Sequence, residues 1–437
     1  MPISPLHRIQ GAALRASPII LSFLLLALTF RGVASGDARG NFPFPGDASS
    51  ILTFLPAADV AGIRSQDCAD RYAILQAAIN THGAGNLIWP DGLYCSGQTL
   101  VPANGQNWIC GSQTYGSFGG KLATKGEMNA PLIQFNSSGA IKGCTLIGNA
   151  GSSQTAQSLV AINNTNDVTL DDVYFVNGYA GVSISGVSFY ISIRNSRFGA
   201  QYHRYLDING TVASAGVDLI LDHVRFLGGA STMDYGWQLD GLGSIMANNI
   251  IMSVNQFTRA AVYFNRPASG FGGAQIANSV FETAGNGPSW ILGNIGGPAW
   301  NSGIYLDNTI LNGGSQAAVV ANSSSRFRMR GGTIASTSAE GIVQIPANAS
   351  FLKFLFSGTA FDGTGGETVF RCGSGAMLSG SIMVPEWGGF GPIVDFRNTT
   401  ANNIAYLDTY GGSLGISGTP YRLPAGRVHG TREGVHF

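Results

Sequence analysis

The chain has 437 residues, only 11% of them charged, and its 24 basic and 24 acidic side chains balance to a formal net charge of zero. That balance leaves no electrostatic footprint for nucleic acid, and a 44% hydrophobic content excludes intrinsic disorder. So little charge beside 62 glycines suits a long stacked core with many tight bends.

Residues 1–35 read as an export signal. His7, Arg8 and Arg15 precede an apolar run at 19–30, and the small residues Gly32, Ala34 and Ser35 follow it. The run is short for a membrane span, so the mature protein is expected to be secreted or periplasmic and free of the membrane. Residues 69–80 (ADRYAILQAAIN) have the period of an amphipathic helix, with Tyr72, Leu75 and Ile79 on one face. A strand, a turn at Pro90, Asp91 and Gly92, and a second strand follow. Of the five cysteines, Cys68, Cys95, Cys110 and Cys144 lie in the first third, where one or two bridges would staple the start of the fold. Cys144 and Cys372 fall on strands and also read as small buried hydrophobes. No spacing forms a zinc site, and no metal is expected.

From Gly139 to Phe361 one pattern recurs nine times: apolar-x-apolar, a two-residue break, apolar-x-apolar. Copies include VTLDDVYF (168–175), ISIRNSRF (191–198), LILDHVRF (219–226), AQIANSVF (274–281) and IYLDNTIL (304–311). The closing anchors are Leu146, Phe175, Phe198, Phe226, Phe257, Phe281, Leu311, Ile334 and Phe361, about 27 residues apart on average, a solenoid spacing. The second break residue is Gly143, Asp172, Asn195, His223, Val254, Asn278, Asn308, Gly331 or Gly358. All but Val254 suit the left-handed backbone region, so the break is a sharp corner between two strands. A third strand follows each anchor, at 182–184, 206–208, 237–239, 262–264, 290–292, 343–345 and 370–372. The expected fold is therefore an all-β solenoid. Residues 36–375 form the coils with a capping helix at their start, and 376–437 supply final rungs or a C-terminal cap.

The run from Ala73 to Ile79, then Gly85, Pro90, Gly92 and Tyr94, resembles the N-terminal cap of the pectate-lyase-like superfamily. With the repeats, the resemblance covers about residues 60 to 375 and implies a single-stranded right-handed parallel β-helix. The superfamily includes pectate lyases, polygalacturonases, epimerases and tailspikes. The Asn-Thr-Asp, Gly-His-Gly and Arg-Ile-Lys signatures of polygalacturonases are absent, and Asp171-Asp172 falls on the corner. Of the lyase signatures, Leu219 to His223 lacks its Trp, and Asn265-Arg266-Pro267 is only half of an arginine pair.

The resemblance implies that the third strands and their loops form a polysaccharide groove. Strand alternation turns Ser183, Asp207, Gln238, Tyr263, Ile291, Gln344 and Arg371 outward, with Ser185, Asn209, Asp240 and Asn265 two positions on. Loops add His203, Arg204, Asp234, Tyr235 and Trp300. Asp171, Asp172, Asp222, His223, Asp307 and Asn308 sit at the corner and read as turn residues bonding nearby backbone.

Asp207 and Asp240 have no such explanation and read either as solvated carboxylates or as a hydrolytic acid and base. Gln238, Tyr263, Asn265, Tyr235 and Trp300 would position a sugar, and Arg266 would meet a carboxylate on it. A lyase would instead draw its base from Arg204, Arg266 or His203. It would neutralise a uronate by Arg or by Ca²⁺ on Asp207, Asp234 and Asp240, the one reading that brings in a cofactor. A non-catalytic adhesive β-helix, monomeric or homotrimeric like tailspikes, is the third class.

Overall fold

A computed structural model describes residues 48–111, 119–149, 158–210, 216–228, 233–255, 257–265, 273–283, 287–293, 303–322, 324–363 and 368–383, together with the short strands beyond them. Residues 1–47, on which the expected export signal falls, and Arg266 and Trp300 lie outside the described residues.

The chain winds as a parallel solenoid whose strands stack into three sheets of 17, 13 and 12 strands. Each coil contributes one strand to each sheet, and corresponding residues pair directly from coil to coil. On the second sheet Leu146, Phe175, Phe198 and Phe226 pair in succession, as do Phe281, Leu311, Ile334 and Phe361. All of these side chains are buried, because period-two alternation sends them into the single continuous core. Phe175 stacks on Phe198 at 4.3 Å, and Phe198 on Phe226 at 4.8 Å.

The expected coil ending in Phe257 needs correcting. Met252 pairs with Phe226 on one side and Phe281 on the other, so the anchor is Met252, and Phe257 is buried beyond it. The corner of that coil is Asn249, with φ +54°, and not Val254. Met252 and Phe257 are both apolar and buried, and alternation alone does not choose between them. Once the register is corrected, all nine corners have positive φ: Gly143, Asp172, Asn195, His223, Asn249, Asn278, Asn308, Gly331 and Gly358. At Gly143 a Cβ would also collide with the Gly111 carbonyl, so both conformation and close approach require glycine there. Trp237 covers the gap left by the missing Phe, with its ring edge-on to Phe226 at 5.5 Å and to Phe281 at 5.2 Å.

Before the coils, the helix Tyr72–His82 buries Leu75, Ala78 and Ile79, and the Gln106 side-chain amide donates to the Ile79 carbonyl. Two disulfides, Cys68–Cys95 and Cys110–Cys144, fasten this region, so Cys144 is bridged rather than merely buried, while Cys372 is free and buried. Beyond residue 376 the strands Met377–Met383, Ile404–Tyr410 and Arg427–Arg432 continue the first sheet in parallel, and an antiparallel Val435–His436 closes it. A third-sheet strand that the pattern missed, Val319–Ala321, lies between Trp290–Leu292 and Val343–Ile345. Among the described residues no helix is long and apolar enough to cross a membrane.

Candidate functional site

The outer face of the third sheet carries two ladders. One runs Ala161, Ser183, Asp207, Gln238, Tyr263, Ile291, Val320, Gln344, Arg371. The other, two positions further along the strands, runs Asn163, Ser185, Asn209, Asp240, Asn265. Asp207 pairs with Gln238 and Asn209 with Asp240, so the two carboxylates sit diagonally on adjacent coils of one face. Strands about 4.8 Å apart and a two-residue advance of about 6.6 Å put them about 8 Å apart at the backbone.

Arg204, the first residue of its strand, organises the acidic side. Its guanidinium lies 2.9 Å from an Asp207 oxygen and reaches both oxygens of Asp234, at 3.3 and 3.0 Å. Asp234 also accepts from the Tyr235 backbone N–H. Burial pulls the Arg204 pKa down, but its bonds to Asp234 and the charge of Asp207 prevail and raise it overall. A guanidinium held this way is no base, which removes Arg204 from the lyase role expected of it. It also occupies the space between Asp207 and Asp234 that a bound Ca²⁺ would need. No three His, Cys, Asp or Glu side chains converge on a common point among the described residues. The site therefore does not fit the calcium of the lyase reading.

The carboxyl of Asp207 titrates above its ordinary range. Burial dominates, Arg204 opposes it, and the like charges of Asp234 and Asp240 add to the rise. Asp240 accepts a 2.6 Å bond from the Gln238 side-chain amide. The second carboxylate oxygen of Asp240, Oδ1, and the amide oxygen of Gln238, Oε1, are shielded and lack a hydrogen-bond partner. Tyr263 stands on the next coil, and burial followed by the charge of Asp240 raises its pKa.

Tyr235 does not fit its expected role. Its ring stacks on Tyr263 at 5.0 Å, Arg259 lies 5.7 Å over it, and only 7% of the residue is exposed, so no face is left for a sugar. Tyr263 is the half-buried aromatic of the pair.

The structure thus gathers Arg204, Asp207, Asp234, Gln238, Asp240, Tyr263 and Asn265 on three adjacent coils, with His203 at their edge. Sequence reasoning missed Tyr179 and Arg259. Tyr179 stacks on the His203 ring at 4.1 Å, and Arg259 bonds the Tyr235 hydroxyl at 3.4 Å. Both belong to a ladder in the turn before the third strand. There the N–H groups of His203 and Arg204 bond the Tyr179 carbonyl, and those of Arg259 and Ala260 bond the Asp234 carbonyl. The signal was available: Tyr179 precedes His203, and Asp234 precedes Arg259, by about one coil repeat.

No protein-family model matches the chain, and no curated protein matches it. Solved structures do. A tailspike protein of E. coli bacteriophage HK620, determined in complex with a hexasaccharide, is 11% identical with a TM-score of 0.50, over 88% of this chain and 80% of that one. The Streptococcus pneumoniae surface adhesin PfbA is 13% identical with a TM-score of 0.48, over 85% and 93%. The A-module of the Azotobacter vinelandii mannuronan C-5 epimerase AlgE4 is 12% identical with a TM-score of 0.48, over 87% and 99%. At such identities what is shared is architecture: the chain is a parallel β-helix protein, with the fold of the HK620 tailspike.

Proposed function

We propose that this is an exported polysaccharide-active β-helix that hydrolyses glycosidic bonds on the outer face of its third sheet. The observation that carries the reading is the diagonal pair Asp207 and Asp240 on adjacent coils of one face. Their backbone spacing of about 8 Å lets the two carboxyl groups stand within the roughly 6.5–9.5 Å that leaves room for a water between an inverting acid and base. Asp207, held protonated by burial to a higher pH than an ordinary carboxyl, gives its proton to the leaving glycosidic oxygen. Asp240 takes a proton from water as the water oxygen attacks the anomeric carbon and the glycosidic bond breaks. Arg204 and Asp234 hold Asp207 in place. Tyr263 offers the ring on which a sugar stacks.

A second reading, β-elimination on a uronate polymer, draws on the His203 ring stacked against Tyr179 at the edge of the same cluster, with His203 as the base. Incubation with a panel of neutral and uronic-acid polysaccharides tests both. New reducing ends without absorbance near ~235 nm (roughly where an unsaturated uronate absorbs) support hydrolysis, and both signals together support elimination. Saturable binding without any product rejects both in favour of an adhesin.

A further inference from the structure

The charges on the third-sheet face are sorted along its strands. The arginines stand at the start. Arg204 opens its strand with all three guanidinium nitrogens taken, one by Asp207 and two by Asp234. Arg259 precedes the strand Ala260–Asn265, lies 5.7 Å over the Tyr235 ring and bonds the Tyr235 hydroxyl. His203, beside Arg204, is stacked on Tyr179. Asp240 stands at the other end, in one column with Asn209 and Asn265. From Arg259 to Asn265 the chain advances about 20 Å, twice the Debye length of about 10 Å at 0.1 M salt. Asp240 has no ion-pair partner among the described residues, and its side-chain bond comes from the neutral Gln238 amide.

We infer that the sugar held between Asp207 and Asp240 is uncharged, so that the substrate is a neutral polysaccharide and uronic-acid polymers are turned away. The inference rests on the hydrolytic reading of this face. A carboxylate on a ring lying between the two aspartates faces the Asp240 carboxylate with no free arginine among the described residues to answer it. Arg204 and Asp234 cancel as a bonded pair, so even with Asp207 protonated the charge of Asp240 is left uncompensated. A second anion at that point also favours protonation of Asp240, which removes the base that the attacking water needs.

Sugar hydroxyls meet no such obstacle. A hydroxyl both donates and accepts, so it serves a carboxylate as a donor and an amide as either partner. The neighbours of Asp240 in its column, Asn209 and Asn265, carry amides, and Ser185 one coil further carries a hydroxyl. Uncharged groups of this kind read the positions of hydroxyls and give a carboxylate little of the charge-assisted bonding that it needs.

The test uses polymers matched except at C6: cello-oligosaccharides, malto-oligosaccharides and mannan, each beside its C6-carboxylate counterpart. Binding is measured on the parent and on Asp240→Asn at about 20 and about 500 mM salt, and turnover on the parent by reducing ends. The expected result is a neutral member that binds at least about 10-fold tighter than its carboxylate counterpart at low salt. The gap should narrow several-fold at high salt, which screens the repulsion, and again in Asp240→Asn, which removes its source. Tyr263→Ala should abolish this binding, assigning it to the third sheet rather than to the trough of about 860 Å³ on the first sheet, whose lining includes Arg194 and Arg328. Thermal melts confirm that both variants remain folded. A carboxylate polymer bound as tightly as its neutral counterpart, or more weakly as salt rises, overturns the inference, as does a panel with no neutral binder. Reducing ends from that carboxylate polymer would leave hydrolysis standing while the inference falls. Neutral binding that yields no product does the reverse.

Discussion

Two polar ladders climb this solenoid, one at the corner between the first and second sheets and one on the outer face of the third. They differ in how their charges and amides are satisfied. At the corner, Asn278 donates to Asn248 at 3.1 Å and accepts from Asn308 at 3.1 Å, while Asn195 donates to Asp171 at 2.9 Å. The left-handed residues there, Asn195, Asn278 and Asn308, each bond a side chain one coil away. On the third sheet the repeat breaks its own rule. Asp207, Asp234 and Asp240 stand close enough to raise the pKa of one of them, one arginine serves two of the carboxylates, and two shielded oxygens find no donor. A ladder that satisfies itself is structural. One that crowds its charges and leaves oxygens unsatisfied does so at some expense of stability, the pattern of a functional face.

The largest effect that would test this contrast is on turnover. Asp207→Asn and Asp240→Asn should each lower kcat on a confirmed polysaccharide by about 10²–10⁴-fold, measured by reducing-end release. The corner variant Asp222→Asn should leave it unchanged. Full activity in both groove variants would make the third-sheet ladder as structural as the corner.

Next in size is the core that both ladders depend on. Phe226 lies between Phe198 and Met252 with Trp237 against its edge, and Phe226→Ala should cost about 3–5 kcal/mol in denaturant unfolding. A smaller cost would mean that the coils collapse around the cavity.

At the corner, Asn278→Ala loses two side-chain bonds and strains a backbone at φ +50°, for about 1–2 kcal/mol. Asn278→Gly, which loses the bonds but relieves the strain, should cost less, and comparing the two melts separates the causes.

The smallest effect carries the opposite sign. The Asp207 pKa is raised in the fold, so its favourable contribution is complete below the ordinary carboxylate range and disappears as pH rises through the raised value. At neutral pH the charged form is therefore the destabilising one. Asp207→Asn should raise Tm at pH 7 by about 1–2 °C, with the gain vanishing near pH 3. A lower Tm at pH 7 would mean that the bond to Arg204 outweighs burial.

Much of the fold could be read in advance because a solenoid converts sequence period into spatial neighbourhood. The anchors from Leu146 to Phe226 and from Phe281 to Phe361 needed only alternation and the corner residues to be assigned. The reading failed where the pattern was locally quiet: at Met252, which is apolar but inconspicuous, and at the short strand Val319–Ala321. Tyr235 shows a different limit. Its position beside the groove was visible in the sequence, but whether its ring faced solvent depended on Tyr263 and Arg259, whose strand and turn lie a coil away.

By itself, then, the sequence determined the coil, the corner and the side of the sheet on which Asp207, Gln238, Asp240 and Tyr263 stand, because these follow from backbone conformation and period, which are local. Only the tertiary structure decided that Arg204 lies between Asp207 and Asp234, that Tyr235 is covered, and that a trough opens on the first sheet. Those outcomes depend on which side chains meet across coils and how much water they lose, and the separations of some 24 to 30 residues between Arg204 and Asp234, or between Tyr235 and the Tyr263 and Arg259 that cover it, do not reveal that until the coils are stacked.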